Sequence, residues 1–140
     1  MNDPFTPPSA GRRLLVAQAA GLGWDFLRRN RSCLGPALDD LRFAPLDSSF
    51  PAVTCTAQAT FRTAGTPARH GIVANGWLDR QTGRTLFWEQ SARLVEGPRI
   101  WDGLRARGGR VAILFWQQSL GERADIVLSP APVHRHGGGM

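Results

Sequence analysis

The sequence contains neither lysine nor tyrosine, and its 140 residues include only two cysteines. The net charge of +6 at pH 7 therefore comes from arginine alone. These arginines are scattered along the chain, whereas a nucleic-acid-binding surface gathers basic residues on one face beside exposed aromatic side chains. The pattern is more typical of codon bias in a GC-rich genome. We expect no nucleic-acid partner, and the excess positive charge should mainly attract anionic substrates.

Three further absences narrow the class of protein. No apolar run reaches the roughly 18 residues that a membrane-spanning helix needs. The segment Met1–Ala10 has neither the basic nor the apolar region of a secretory signal. Cys33 and Cys55 form no Cys-x-x-Cys pair, so the sequence predicts neither a structural disulfide nor a zinc site built on cysteine. We expect a cytoplasmic protein without a membrane partner.

The chain fits one domain, since 42% of its residues are hydrophobic and can fill a core. Short apolar runs predict buried strands, and Gly- or Pro-bounded segments between them predict helices. The predicted strands are Leu14–Ala20, Leu86–Trp88, Arg110–Trp116 and Asp125–Ser129. The predicted helices are Trp24–Arg29, Pro36–Arg42, Ile100–Arg107 and a segment from Thr54 or Cys55 to Thr63. This alternation predicts an α/β fold over residues 12–132, with a disordered lead-in at 1–11 and a loop-like end at 133–140.

The segment Phe50–Trp77 carries the chemistry. It places hydroxyl groups and a thiol directly after a proline-bounded extended stretch, at the predicted start of a helix, where unpaired backbone N–H groups favour an anion. Thr54 is the first candidate nucleophile, although threonine is also a common helix cap. Thr56 is the second candidate. Cys55 with His70 would suit a thiol hydrolase, but a small buried thiol and a turn histidine explain this pair more simply.

The order of motifs resembles the type I phosphodiesterase/nucleotide pyrophosphatase family of the alkaline phosphatase superfamily, and uncharacterised bacterial members are especially similar. The resemblance covers roughly residues 12 to 140. The segments that carry it are Phe50–Thr56, Thr63–Gly65, Pro67, His70–Trp77, Phe87–Ser91 and Gly97–Trp101.

The resemblance implies a hydrolase of small phosphate esters, with a mixed sheet between helical layers and two divalent metal ions, usually zinc. Thr54 matches the family's nucleophile, which also contacts a metal and forms a phosphothreonine intermediate. The Cys55 N–H at the helix start and Gln58 would then bind the substrate. Asn75 is a further candidate for substrate binding, and Asn75–Gly76 is equally a turn signal. Coordination to a metal would lower the pKa of a threonine hydroxyl, which is otherwise a weak nucleophile.

The sequence departs from the family pattern at two positions. Ala20 stands where a metal-binding aspartate is usual, and Ala57 stands where an asparagine commonly holds phosphate. The other ligands belong to the family's C-terminal half, and His134 and His136 match none of its motifs. We therefore expect a truncated chain with an incomplete fold that self-associates or needs the missing C-terminal half. The alternative is a non-catalytic shortened relative that acts as a partner-binding or vestigial domain.

Overall fold

A computed structural model of the chain describes residues 13–33, 35–36 and 41–130. The chain divides into two compact units, Met1–Pro45 and Leu46–Met140. Within the described residues, no helix is both long enough and apolar enough to cross a membrane. The lead-in predicted at 1–11 and the end predicted at 133–140 lie outside the described residues.

Among its described residues, the first unit contains one α-helix, α1 (Trp24–Arg29), followed by a 3-10 turn at Arg31–Cys33. This confirms the predicted helix, which has Asp25 in its first turn and basic residues in its last turn, where each charge favours the helix dipole. The helix predicted over Pro36–Arg42 lies mostly outside the described residues.

The strand predicted over Leu14–Ala20 is wrong. This segment is irregular, and the side chains of Leu14 and Leu15 are 88% and 91% exposed. A strand forms only when a neighbouring strand accepts and donates its backbone hydrogen bonds. The described part of this unit contains no such neighbour, so apolar composition alone does not make the segment a strand.

The second unit contains three α-helices and four strands within its described residues. In chain order these are α2 (Thr54–Thr63), α3 (Pro67–His70), β1 (Gly76–Asp79), β2 (Arg84–Phe87), α4 (Asp102–Ala106), β3 (Ala112–Leu114) and β4 (Ile126–Leu128). The prediction of a helix from Thr54 to Thr63 is confirmed. It begins after Val53, which has extended backbone, and ends at Ala64 in the left-handed conformation.

Within the described residues, the strands form two small sheets. β1 and β2 pair antiparallel, with Gly76 opposite Phe87, and β3 and β4 pair parallel. β1 begins at Gly76, and the sequence did not predict a strand there. The α/β class is therefore confirmed for the described residues, while a single mixed sheet between helical layers stays an expectation.

The prediction that Arg110–Trp116 is a fully buried strand is wrong in part. Only Ala112–Leu114 pairs, and of these only Ile113 is buried, whereas Leu114 is 51% exposed. β3 has a single strand beside it, so one face of the pair packs inward through Ile113 and Val127 and the other faces outward. Burial on both faces needs layers on both sides of a sheet.

The hydrophobic core of the second unit lies against α2. Cys55, Ala59, Ile72 and Val95 are buried together, with Trp88 packed at their edge. The same side of α2 also carries polar residues that are buried. This mixture distinguishes α2 from an ordinary amphipathic helix, which turns apolar residues inward and polar residues outward.

Candidate functional site

The start of α2 is the centre of the candidate site. Thr54 is its first residue and is half-buried. The N–H of Ala57 donates to the carbonyl of Val53 at 2.9 Å, which is the first regular helical bond. The N–H groups of Thr54, Cys55 and Thr56 therefore have no acceptor within the helix, as is usual for a first turn. This leaves three donors for other partners.

Asn75 accepts a hydrogen bond from one of these donors. The N–H of Cys55 donates to Oδ1 of Asn75 at 3.0 Å, across twenty residues of sequence. Because the backbone group is a donor, the atom that faces it must be the amide oxygen, so Nδ2 is the end that remains. No hydrogen bond of Nδ2 occurs within the described part of the chain. The arrangement brings two predicted site residues, Cys55 and Asn75, into contact beside Thr54.

Thr56 and Gln58 face the interior. Thr56 is fully buried, and its hydroxyl has no hydrogen-bond partner among the described residues. Gln58 is also buried, and its Oε1 accepts a hydrogen bond of 2.8 Å from the N–H of Gln117. The structure thus places Gln58 against a distant turn, while its predicted role in binding substrate stays a prediction.

His70 and Cys55 do not form a thiol–imidazole pair in this structure. The Nδ1 atom of His70 accepts from the N–H of Ile72 at 3.2 Å, so Nε2 carries the proton and donates to the Thr60 hydroxyl at 3.0 Å. Burial and the nearby positive charge of Arg62 lower the pKa of His70. Burial raises the pKa of the Cys55 thiol to about 11. Both groups are neutral at pH 7, which favours the structural interpretation of the pair.

A buried group of charges lies behind α2, and the sequence did not indicate it. Arg62 of α2 is fully buried, and its Nη1 lies 3.6 Å from Oε2 of Glu122. The same carboxylate oxygen accepts from Nε of Arg99 at 2.7 Å. Burial and the like charge of Arg99 lower the pKa of Arg62 to about 10, which still leaves Arg62 charged at pH 7. Two cations share one anion, so the group carries one excess positive charge.

A comparison with protein families identifies the family of this chain. The family model described as type I phosphodiesterase/nucleotide pyrophosphatase matches residues 14–133. The chain belongs to this family. Its predicted membership is confirmed, and membership indicates a phosphodiesterase- or pyrophosphatase-type hydrolase that acts on phosphate esters. A comparison with curated proteins gave no match.

Members of the type I phosphodiesterase/nucleotide pyrophosphatase family are generally metal-dependent, but a two-metal centre does not fit the described residues of this one. Nowhere in residues 13–33, 35–36 and 41–130 do three His, Cys, Asp or Glu side chains come together in a group that could hold a metal ion. Asp125 lies on a strand end, where Oδ2 accepts from the N–H of Val111 at 2.7 Å. His134 and His136 lie outside the described residues.

Proposed function

We propose that the protein is a hydrolase of phosphodiester or pyrophosphate substrates in which Thr54 is the nucleophile. The observation that carries the proposal is the hydrogen bond between the Cys55 N–H and Asn75 Oδ1, in a chain that belongs to this family. It holds a polar side chain beside the first residue of a helix, where an anion is favoured. Family membership supports the substrate class, and this hydrogen bond supports the proposed position of the site.

The exposure of the two threonines supports Thr54 over Thr56. Thr56 is 0% exposed, so its hydroxyl cannot reach a substrate unless the helix moves. Thr54 is half-buried, and its hydroxyl makes no hydrogen bond within the described residues. A hydroxyl without a partner at the edge of the core can approach a phosphorus atom.

Asn75 is the proposed holder of the phosphoryl group. Its amide oxygen is fixed by the Cys55 N–H, so its Nδ2 presents two N–H donors at a defined place. The backbone N–H groups of Thr54 and Thr56 add donors at the same helix end. Fixed donors of this kind stabilise the negative charge that grows on the phosphoryl oxygens during displacement.

The proposed reaction consists of two displacements at phosphorus. Thr54 Oγ1 forms a bond to phosphorus while the bond to the leaving alcohol breaks, and the alcohol departs with the proton that Thr54 loses. Water then breaks the Thr54–phosphate bond and releases a phosphomonoester, which restores the hydroxyl. Because a metal centre does not fit the described residues, no step is assigned to zinc or to any other ion.

The test is hydrolysis of bis-p-nitrophenyl phosphate, measured with and without added Zn²⁺. We expect Thr54→Ala to lower the rate at least about a hundredfold, since removal of a nucleophile abolishes the covalent route. Thr66→Ala is the matched control. Thr66 is exposed, precedes α3 and makes no side-chain cap hydrogen bond, so this variant should keep the wild-type rate. Equal rates for the wild type and Thr54→Ala would remove Thr54 from its proposed role.

The second candidate function is a non-catalytic relative that binds a partner. It is favoured by the lack of a three-ligand group among the described residues. A protein of this kind would show no turnover with any added divalent metal, although it would remain folded. Turnover by the wild type that depends on Thr54 would contradict this alternative.

A further inference from the structure

Asn75 is tied to the rest of the unit through its backbone as well as its side chain. Its carbonyl accepts a hydrogen bond of 3.0 Å from the N–H of Trp88, just past the last pair of the β1–β2 sheet. Trp88 has a φ of 58°, a left-handed conformation that a bulky residue rarely adopts. Such a conformation persists when surrounding contacts fix it. The position of Asn75 therefore depends on what holds Trp88.

Gln90 holds Trp88. Gln90 is 4% exposed, and its Nε2 donates to the carbonyl of Trp88 at 2.8 Å and also to Oε1 of Gln117. Its Oε1 accepts from the N–H of Gln118 at 2.9 Å. The side chain uses both N–H groups and its oxygen, so one buried amide joins the loop after β2 to the turn at Gln117–Gln118.

The turn at Gln117–Gln118 is also attached to α2 at two points. The N–H of Gln117 donates to Oε1 of Gln58, and Nη1 of Arg62 donates to the carbonyl of Gln118, both at 2.8 Å. Gln58 and Arg62 are four residues apart, on one face of the helix. Gln118 has a φ of 53°, so this turn also depends on its partners.

These bonds close a ring. It runs from the start of α2 through Asn75, Trp88 and Gln90 to the turn, and returns to α2 through Gln58. We propose that Gln90 is a positioning residue for the candidate site, because it fixes the Asn75 side chain beside the first turn of α2. The proposal rests on the proposed function only for the role of Asn75 in binding the phosphoryl group. Gln90 itself touches no substrate.

Amide hydrogen exchange of the 15N-labelled protein tests the ring. In Gln90→Met, which has similar length and no hydrogen-bonding amide, we expect the Cys55 N–H to exchange about tenfold faster relative to the Asp125 N–H, the loss expected for about one net hydrogen bond. Asp125 donates to Val111, away from the ring. Gln81→Met, at an exposed turn residue, is the matched control and should leave the ratio unchanged. An unchanged ratio in Gln90→Met would overturn the proposal.

A measurement on the wild type covers the case in which Gln90→Met does not fold. If the ring opens as one unit, the N–H groups of Cys55, Trp88 and Gln118 exchange with one common opening free energy and one common dependence on denaturant. Three separate values would contradict the ring without any substitution.

Titration with inorganic phosphate separates this proposal from the proposed function. In the wild type we expect phosphate to shift the Nδ2 resonances of Asn75, and in Gln90→Met we expect about tenfold weaker apparent binding with the chain still folded. Gln81→Met should bind as the wild type does. If phosphate does not shift Asn75 in the wild type, the binding role of Asn75 fails, while the exchange experiment still decides the positioning role of Gln90. Equal phosphate binding by the wild type and Gln90→Met would overturn the positioning of Asn75 by Gln90.

Discussion

Replacement of Glu122 by glutamine removes the one anion that Arg62 and Arg99 share. The side chains of Arg62, Arg99 and Glu122 are 0%, 8% and 4% exposed, so the group has little contact with water that could replace the lost charge. Glutamine keeps the size of glutamate, but one carboxylate oxygen becomes an NH2 group, which cannot accept from Arg99 or from the N–H of Arg123. The variant therefore removes the charge and one acceptor of a buried group whose size is unchanged.

The size of the stability loss depends on the hydrogen bonds that Arg62 and Arg99 retain after the substitution. Loss of one partner from a buried ion pair costs about 3–5 kcal/mol, because a charge is left without compensation. Arg99 still donates to the carbonyls of Ala92, Val95 and Gly97. Within the described residues, the Arg62 side chain keeps only its hydrogen bond to the carbonyl of Gln118, and its Nε and Nη2 have no partner there. We expect Glu122→Gln to lower the free energy of unfolding by about 3 kcal/mol, a large part of the roughly 5–15 kcal/mol of a typical domain.

Urea unfolding followed by tryptophan fluorescence measures this loss. The matched control is Arg123→Ala, because Arg123 pairs with Asp102 at 3.6 Å but is 76% exposed. An exposed pair contributes little, so we expect a change within about 0.5 kcal/mol. A loss below about 1 kcal/mol in Glu122→Gln would refute the argument, since it would show that Arg62 and Arg99 do not depend on the carboxylate for compensation.

Two further predictions concern buried titratable groups. The pKa of His70 is lowered in the folded protein, so its contribution to stability is complete above the ordinary value of 6.5 and is lost as pH falls through the folded value. We expect His70→Gln to flatten the dependence of the unfolding free energy on pH below about pH 6.5, and identical slopes in urea titrations would contradict this. The thiol of Cys33 is exposed and that of Cys55 is buried with a pKa raised to about 11. A thiol reagent at pH 8 should therefore modify Cys33 at once and Cys55 only after unfolding, and two equally fast thiols would show that the start of α2 is open.

The helices α1 and α2 were predictable because their signals are local. α2 begins after a proline-bounded extended stretch and ends before Gly65, and α1 has favourable charges at both ends. The strands were less predictable. Leu14–Ala20 and Arg110–Trp116 have similar apolar composition, yet among the described residues only the second has a partner strand, and only three of its residues pair. Strand formation depends on a neighbour that lies elsewhere in the chain, and composition does not contain that information.

The candidate site was likewise predictable only in part. The motif from Phe50 to Trp77 indicated Thr54, Cys55 and Asn75, and the structure brings Cys55 and Asn75 together through one hydrogen bond. The support for this contact was not predictable, because Gln58 and Gln117 are 59 residues apart in the chain. No short motif contains both ends of such a bond.

Polar residues on the buried face of α2 fix the orientation of the helix. An apolar face would allow the helix to rotate or slide with little change in energy, because hydrophobic contact is non-directional. Gln58 and Arg62 instead must keep their polar atoms on defined partners, since a buried polar group without a hydrogen bond is costly. The helix is therefore held in one rotation and one axial position. That fixes Thr54, its first residue, relative to Asn75, and the roles proposed for these two residues, nucleophile and anion holder, would need such a fixed relation.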